Sequence, residues 1–252
     1  MILFVSDMHF GRGSRAEERA SEAALVACLQ SYETTLERLY LVGDVFDEYI
    51  EYPSLIPKGF VRFQALLAAW TDRGLPVTYL VGNHDPWHRD YFEKELGVRV
   101  LADALVESLD GWTIHLAHGD GLATDDRLYR RLKPWLRHPL PVWVYRTLLP
   151  ADAGLRLARW VNRRFGHDRI QPGTVDGLRV HARRLLAETP ADLVVMGHSH
   201  HPEVHTWPEG TYLNLGSWCE GRTYACLDEE GPKLMRWNAA AAVAVDLAPC
   251  VK

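Results

Sequence analysis

The sequence has no uninterrupted apolar run of 18 residues, no CxxC pair, no internal repeat and no low-complexity linker. Each absence removes a class of protein. Without the long apolar run, no transmembrane helix is expected. Residues 1–6 (MILFVS) are apolar but too short for a signal peptide, and no basic stretch precedes them. The cysteines, Cys28, Cys219, Cys226 and Cys250, are scattered. That suits a reduced, cytoplasmic chain better than a disulfide scaffold. What is present is an ordinary globular composition: 252 residues, 47% hydrophobic and 24% charged. This excludes disorder, collagen and coiled coil, and allows one large α/β domain or two small ones.

The formal net charge of -5 conceals a division. Residues 124–190 hold 14 Lys and Arg against 6 Asp and Glu, a net of +8. The rest of the chain carries a net of -13. One explanation is a solvated, Arg-rich helical face. The other is a surface that meets anionic phosphates or an anionic bilayer.

Hydrophobic patterning predicts strands at 1–6, 39–44, 76–85, 112–120 and 191–202, each a short apolar run that ends in a polar loop. Shorter strands are predicted at 98–101 and 104–108, and a closing antiparallel series at 211–218, 222–228 and 232–237. Residues 15–31 and 59–74 read as helices. Residues 125–188 carry helical signals, cut by prolines at 134, 139, 141, 150 and 172, and read as a helical insertion between two core strands. The Ala-rich end, 239–245, reads as a frayed tail.

Five of the apolar strands stop at metal-ligand side chains. They are Asp7-Met8-His9, Gly43-Asp44 with Asp47, Gly82-Asn83-His84-Asp85, His118-Gly119-Asp120 and Gly197-His198-Ser199-His200. In open α/β sheets, ligands gather beyond the carboxyl ends of strands. One site built from all five is therefore expected. Carboxylate, amide oxygen and imidazole without thiolate suit Mn²⁺, Fe²⁺ or Zn²⁺. There are too many ligands for one tetrahedral zinc, and they suit a two-metal site of the kind used on phosphate esters.

This order of motifs, D-x-H, G-D-x-x-D, G-N-H-D, H-G-D and G-H-x-H across residues 7–201, resembles the calcineurin-like metallophosphoesterases. The resemblance implies a four-layer α/β/β/α sandwich, here a single domain over 1–252 with a helical cap insertion at about 124–190. It implies that Asp7, His9 and His200 hold one metal, that Asn83, His118 and His198 hold a second, and that Asp44 bridges. His84 would be the catalytic histidine outside the ligand set, oriented by the Asp47 carboxylate.

GDVFDEYIEY (43–52), HGDGLATDDRLYR (118–130) and the insertion before ADLVVMGHSH (191–200) are similar to the UDP-2,3-diacylglucosamine pyrophosphatases of lipid A synthesis. That group cleaves a lipid-linked UDP-sugar to lipid X (2,3-diacylglucosamine 1-phosphate) and UMP, and its cap holds the acyl chains. The resemblance implies a peripheral enzyme at the cytoplasmic face of the inner membrane, with two divalent ions, most naturally Mn²⁺. Proteobacterial members of the group carry Arg where this chain has His84. Asp126 and Tyr129 match the T-D-D-x-x-Y stretch as substrate or cap-hinge residues, and Tyr49 stands where the group often has Trp. Charge alone adds Arg163 and Arg164 as phosphate contacts. The alternatives are a general phosphoesterase acting on nucleotides or other phosphodiesters, and a basic phosphate-binding module without catalysis. Nucleic acid is not an expected partner, because the arginines alternate with Leu and Trp and no nucleic-acid motif is present.

Overall fold

Strand β1 (Ile2–Val5) is apolar at every position because both of its faces are covered. Leu3 and Val5 point into one core cluster, Ile2 and Phe4 into another. In the computed structural model, residues 1–123, 127–165, 172–240 and 243–247 are described. β1 pairs in parallel with β2 (Arg38–Val42), which pairs with β3 (Val77–Leu80) and then β4 (Arg99–Leu101). On its other side β1 pairs antiparallel with β10 (Thr223–Asp228), followed by β11 (Gly231–Asn238) and β12 (Val243–Asp246). β12 falls where the sequence suggested a frayed tail; its pairing with Met235–Asn238 is what orders it.

The second sheet has the order β5 (Leu105–Leu109), β6 (Trp112–Ala117), β7 (Leu193–Met196), β9 (Gly210–Asn214) and β8 (Glu203–Trp207). Its β6, β7 and β9 are parallel. The sheets face each other through Phe4, Tyr40 and Val42 on one side and Leu116, Val195 and Leu213 on the other. Helices α1 (Arg15–Gln30) and α2 (Val61–Asp72) cover the outer face of the first sheet with Leu25, Cys28, Phe63 and Trp70. α1 begins at a capping box in which Ser14 and Glu17 satisfy each other's backbone N–H groups. A short helix, α3 (Tyr91–Lys94), precedes β4. The layers are α/β/β/α, as the motifs implied.

The segment between β6 and β7 forms α4 (Arg127–Arg137), α5 (Pro139–Leu148), α6 (Ala151–Phe165) and α7 (Pro172–Glu188). The sequence grouped α7 with the insertion. Its Leu178, Ala182 and Leu186 pack on Val194, Met196 and Tyr212, so α7 is the outer helical layer of the second sheet. α4 is anchored by the buried Asp120, which accepts hydrogen bonds from the Tyr129 hydroxyl at 2.9 Å and from Arg137 at 3.1 Å, and pairs with Lys133 at 2.8 Å. Among the described residues, no helix is long and apolar enough to cross a membrane.

If the sheet-to-sheet contact carries the fold, Leu116→Ala should lower the unfolding free energy by about 2–5 kcal/mol. Val106→Ala, at a side chain left exposed on β5, should change it by less than about 0.5 kcal/mol. Urea denaturation of both variants checks the contrast.

Candidate metal centre

β1, β2, β3, β6 and β7 all end at the same edge of the two sheets, because each runs parallel to a neighbour in its own sheet. The loops after them bring together three overlapping clusters: Asp7, His9 and His200; His9, Asp44 and His84; and Asp44, His118 and His198. Within each cluster the donor atoms lie within 4.8 Å of one another. Asp44 belongs to two clusters, and its Oδ2 stands 3.3 Å from His118 Nε2 and 3.8 Å from His9 Nε2. Asn83 joins through its amide oxygen, 3.2 Å from His118 Nε2.

The arrangement fits cations. His9 Nε2 and His200 Nε2 are 3.1 Å apart, and Asp7 Oδ1 faces them at 3.7 and 3.2 Å. That oxygen is buried and has no hydrogen-bond partner of good geometry. Its other oxygen accepts the His198 backbone N–H at 3.0 Å, so the carboxylate cannot turn away. Burial alone would raise the Asp7 carboxyl, but the facing imidazoles of His200 and His9 hold it well below the usual carboxylate range. Burial likewise opposes charge on His118, and Asp44 outweighs it, pushing the imidazole up to about 10. Buried carboxylates surrounded by convergent imidazole nitrogens are what a divalent ion would neutralise.

The backbone is also unusual here. Asp7, His9, Asp44, His198 and His200 all have positive φ, between 46° and 66°. Each left-handed residue other than glycine costs on the order of 1–2 kcal/mol. Concentrated strain of this kind marks a site whose side chains must be aimed. The Gly residues of the motifs serve close approach. A Cβ at Gly43 would strike the His118 ring, and one at Gly82 would strike the Asp44 carboxylate and backbone nitrogen. Asp85, a motif residue to which the sequence assigned no role, is fully buried and ties two loops together. It accepts from the Gly82 and Val45 N–H groups at 2.7 Å and from the Tyr79 hydroxyl.

Second contacts orient the imidazoles. His118 Nδ1 donates to the Val42 carbonyl at 2.9 Å, which turns Nε2 into the cluster. His84 was expected to lean on the Asp47 carboxylate. Its Nδ1 instead donates to the Asp47 backbone carbonyl at 2.9 Å, with the carboxylate at 3.7 Å. The carboxylate lies closer to His9 Nδ1, at 3.2 Å, because burial of His9 leaves that nitrogen no solvent.

The expected substrate residues divide. Tyr49 is buried among Phe46, Phe92 and His88, stacked on the His88 ring at 4.3 Å, and has no surface to offer a substrate. This corrects the expectation for Tyr49: an aromatic beside G-D-x-x-D is drawn inward by the aromatic core. The Tyr129 hydroxyl donates to the buried Asp120. Arg164 is exposed on α6. Asp126 and the Arg163 side chain lie outside the described residues. Three residues that carried no sequence signal also reach the site. Arg159 pairs with Glu48 at 3.4 Å, and Asn162 donates to the Asp47 carbonyl at 3.4 Å, so α6 lies over the loop that holds Asp44. Glu220 contacts His200.

The chain belongs to the calcineurin-like phosphoesterase family, whose profile matches residues 1–202. With its clustered ligands it is a metal-dependent hydrolase. Among curated proteins, the UDP-2,3-diacylglucosamine hydrolase of Porphyromonas gingivalis is 31% identical over 245 residues, covering 90% of this chain and 94% of that protein. The protein of the same name from Stutzerimonas stutzeri is 32% identical over 242 residues, covering 92% and 96%. Among solved structures, the E. coli phosphoesterase Yfce aligns over 98% of each chain, with 16% identity and a TM-score of 0.48.

Because a side chain at Gly82 would displace Asp44, Gly82→Ala should keep a wild-type far-UV spectrum while bound divalent metal falls by on the order of tenfold. Elemental mass spectrometry of both purified proteins reads this directly.

Proposed function

We propose that the protein is a dimetal hydrolase that cleaves the pyrophosphate of UDP-2,3-diacylglucosamine, giving 2,3-diacylglucosamine 1-phosphate and UMP. It acts as one metallophosphoesterase domain with a helical cap, at the cytoplasmic face of the inner membrane. The observation that carries this reading is the placing of α6. The helix touches the metal loop through Arg159 and Asn162, while Leu157, Trp160 and Val161 of the same stretch are exposed. The neighbouring α4 and α5 expose Trp135, Trp143 and Leu148, the last at 72%. Large apolar side chains left in water beside a phosphate-cleaving site suit a substrate with acyl chains. The name carried by the relatives supports the same substrate.

In this reading Asp7, His9 and His200 hold one ion, and Asn83, His118 and His198 hold another. Asp44 is shared between them. Two divalent ions, Mn²⁺ in our proposal, would supply Lewis-acid activation of water and offset charge on the phosphoryl oxygens. The chain's own residues do the rest. The Asp47 carbonyl can only accept, so His84 Nδ1 carries a proton there and Nε2 is the nitrogen free to hold or release one. Held that way, His84 is placed to protonate the leaving phosphate oxygen. Asn162, bonded to the same carbonyl, links the cap to that geometry.

Chelation should abolish turnover and Mn²⁺ should restore it. Asp44→Ala and His118→Ala should each lower kcat/KM by at least roughly 100-fold. The diacyl UDP-sugar should be hydrolysed far faster than UDP-glucose. Equal turnover of the two would overturn the acyl-specific reading. Fast turnover of bis(p-nitrophenyl) phosphate, indifferent to lipid or detergent, would place the protein among general phosphodiesterases.

A further inference from the structure

The imidazoles of His118, His9 and His200 lean on different groups. His118 is backed by a neutral carbonyl, that of Val42. His9 is backed by the Asp47 carboxylate, and His200 by the Glu220 carboxylate, whose Oε1 lies 3.0 Å from His200 Nδ1. Glu220 belongs to none of the five motifs and lies beyond residue 202, where the family match ends.

Its place is fixed by the turn that carries it. Helix α8 (Trp218–Gly221) follows β9 and is clamped to the end of β1. Trp218 N–H donates to the Ser6 carbonyl at 3.2 Å, and Cys219 N–H and the Ser217 hydroxyl both donate to the Asp7 carbonyl at 3.1 Å. The Trp218 side chain is fully buried beneath. The strand end that presents Asp7 therefore also sets Glu220 against His200.

A carboxylate on the far nitrogen of a ligating imidazole fixes its tautomer and makes the near nitrogen a better donor. The Asp7–His9–His200 position has two such carboxylates in addition to Asp7 itself. We propose that Glu220 is a positioning residue that acts through His200 and strengthens metal binding at this position. The inference rests on the dimetal reading above.

The test is a titration of Mn²⁺ into metal-stripped, full-length protein, followed by calorimetry and by the electron paramagnetic resonance signal of free Mn²⁺. The wild type should bind two ions in separable steps. Glu220→Gln, which keeps the shape and removes the charge, should weaken one step by about 10–100-fold and leave the other step and the stoichiometry of two unchanged. Glu220→Ala should do the same or more. Because Glu220 is exposed on its outer side, the thermal midpoint of the metal-free variants should match that of the metal-free wild type. That comparison separates an effect on the ligand from a general loss of fold. Two unchanged steps, or equal weakening of both, would overturn the proposal while leaving the dimetal reading intact. A wild type that binds fewer than two ions would overturn the dimetal reading itself.

Discussion

Asp7 and Asp44 are ionisable groups with almost no contact with water, placed where two sheets end together. Two bare carboxylates in such a place carry a desolvation penalty of several kcal/mol each. The surrounding structure answers that penalty. Five histidines converge on the pair. Five backbone positions are held in the left-handed region so that the side chains point inward. Glycines at 43 and 82 remove the bulk that would keep the loops apart. The buried Asp85, bonded to backbone and to Tyr79, holds two of those loops against each other. The sandwich supplies rigidity, and the edge of the sandwich carries the strain.

Much of this is legible in the sequence for a simple reason. A strand buried on both faces is a short apolar run, and a loop that holds a metal must be polar, so the boundary between them is visible. Residues 39–44 and 191–200 show it plainly. What the sequence hides is direction. Tyr49 and Asp47 sit two residues apart, yet one turns into an aromatic core and the other to His9. Glu220 carries no motif because its role depends on a turn folded back over β1, about 200 residues away in the chain. The assignment of α7 to a layer depends on which strands its Leu178 and Leu186 meet, and helical periodicity does not state that.

The charge division takes on a more exact meaning in the fold. Some of the basic excess of the insertion is used inside the molecule. Arg137 and Lys133 meet Asp120, Arg146 donates to the Trp87 carbonyl at 2.7 Å, and Arg179 of α7 pairs with Glu203 at 2.6 Å. These contacts attach basic helices to an acidic core, so the +8 segment and the -13 remainder partly neutralise each other across one set of bonds. On α4 to α6 large apolar side chains such as Trp135, Trp143 and Trp160 face outward beside exposed arginines such as Arg164.

The clamp between α8 and the end of β1 has a consequence for the birth of the protein. β1 is synthesised long before its antiparallel neighbour β10 and before the turn that fastens Asp7 and faces His200. Until those arrive, the earliest ligands belong to a half-paired strand. The cluster of residues 7, 9 and 200 therefore cannot form until most of the chain has been made, and the contacts that hold the Asp7 backbone come later still.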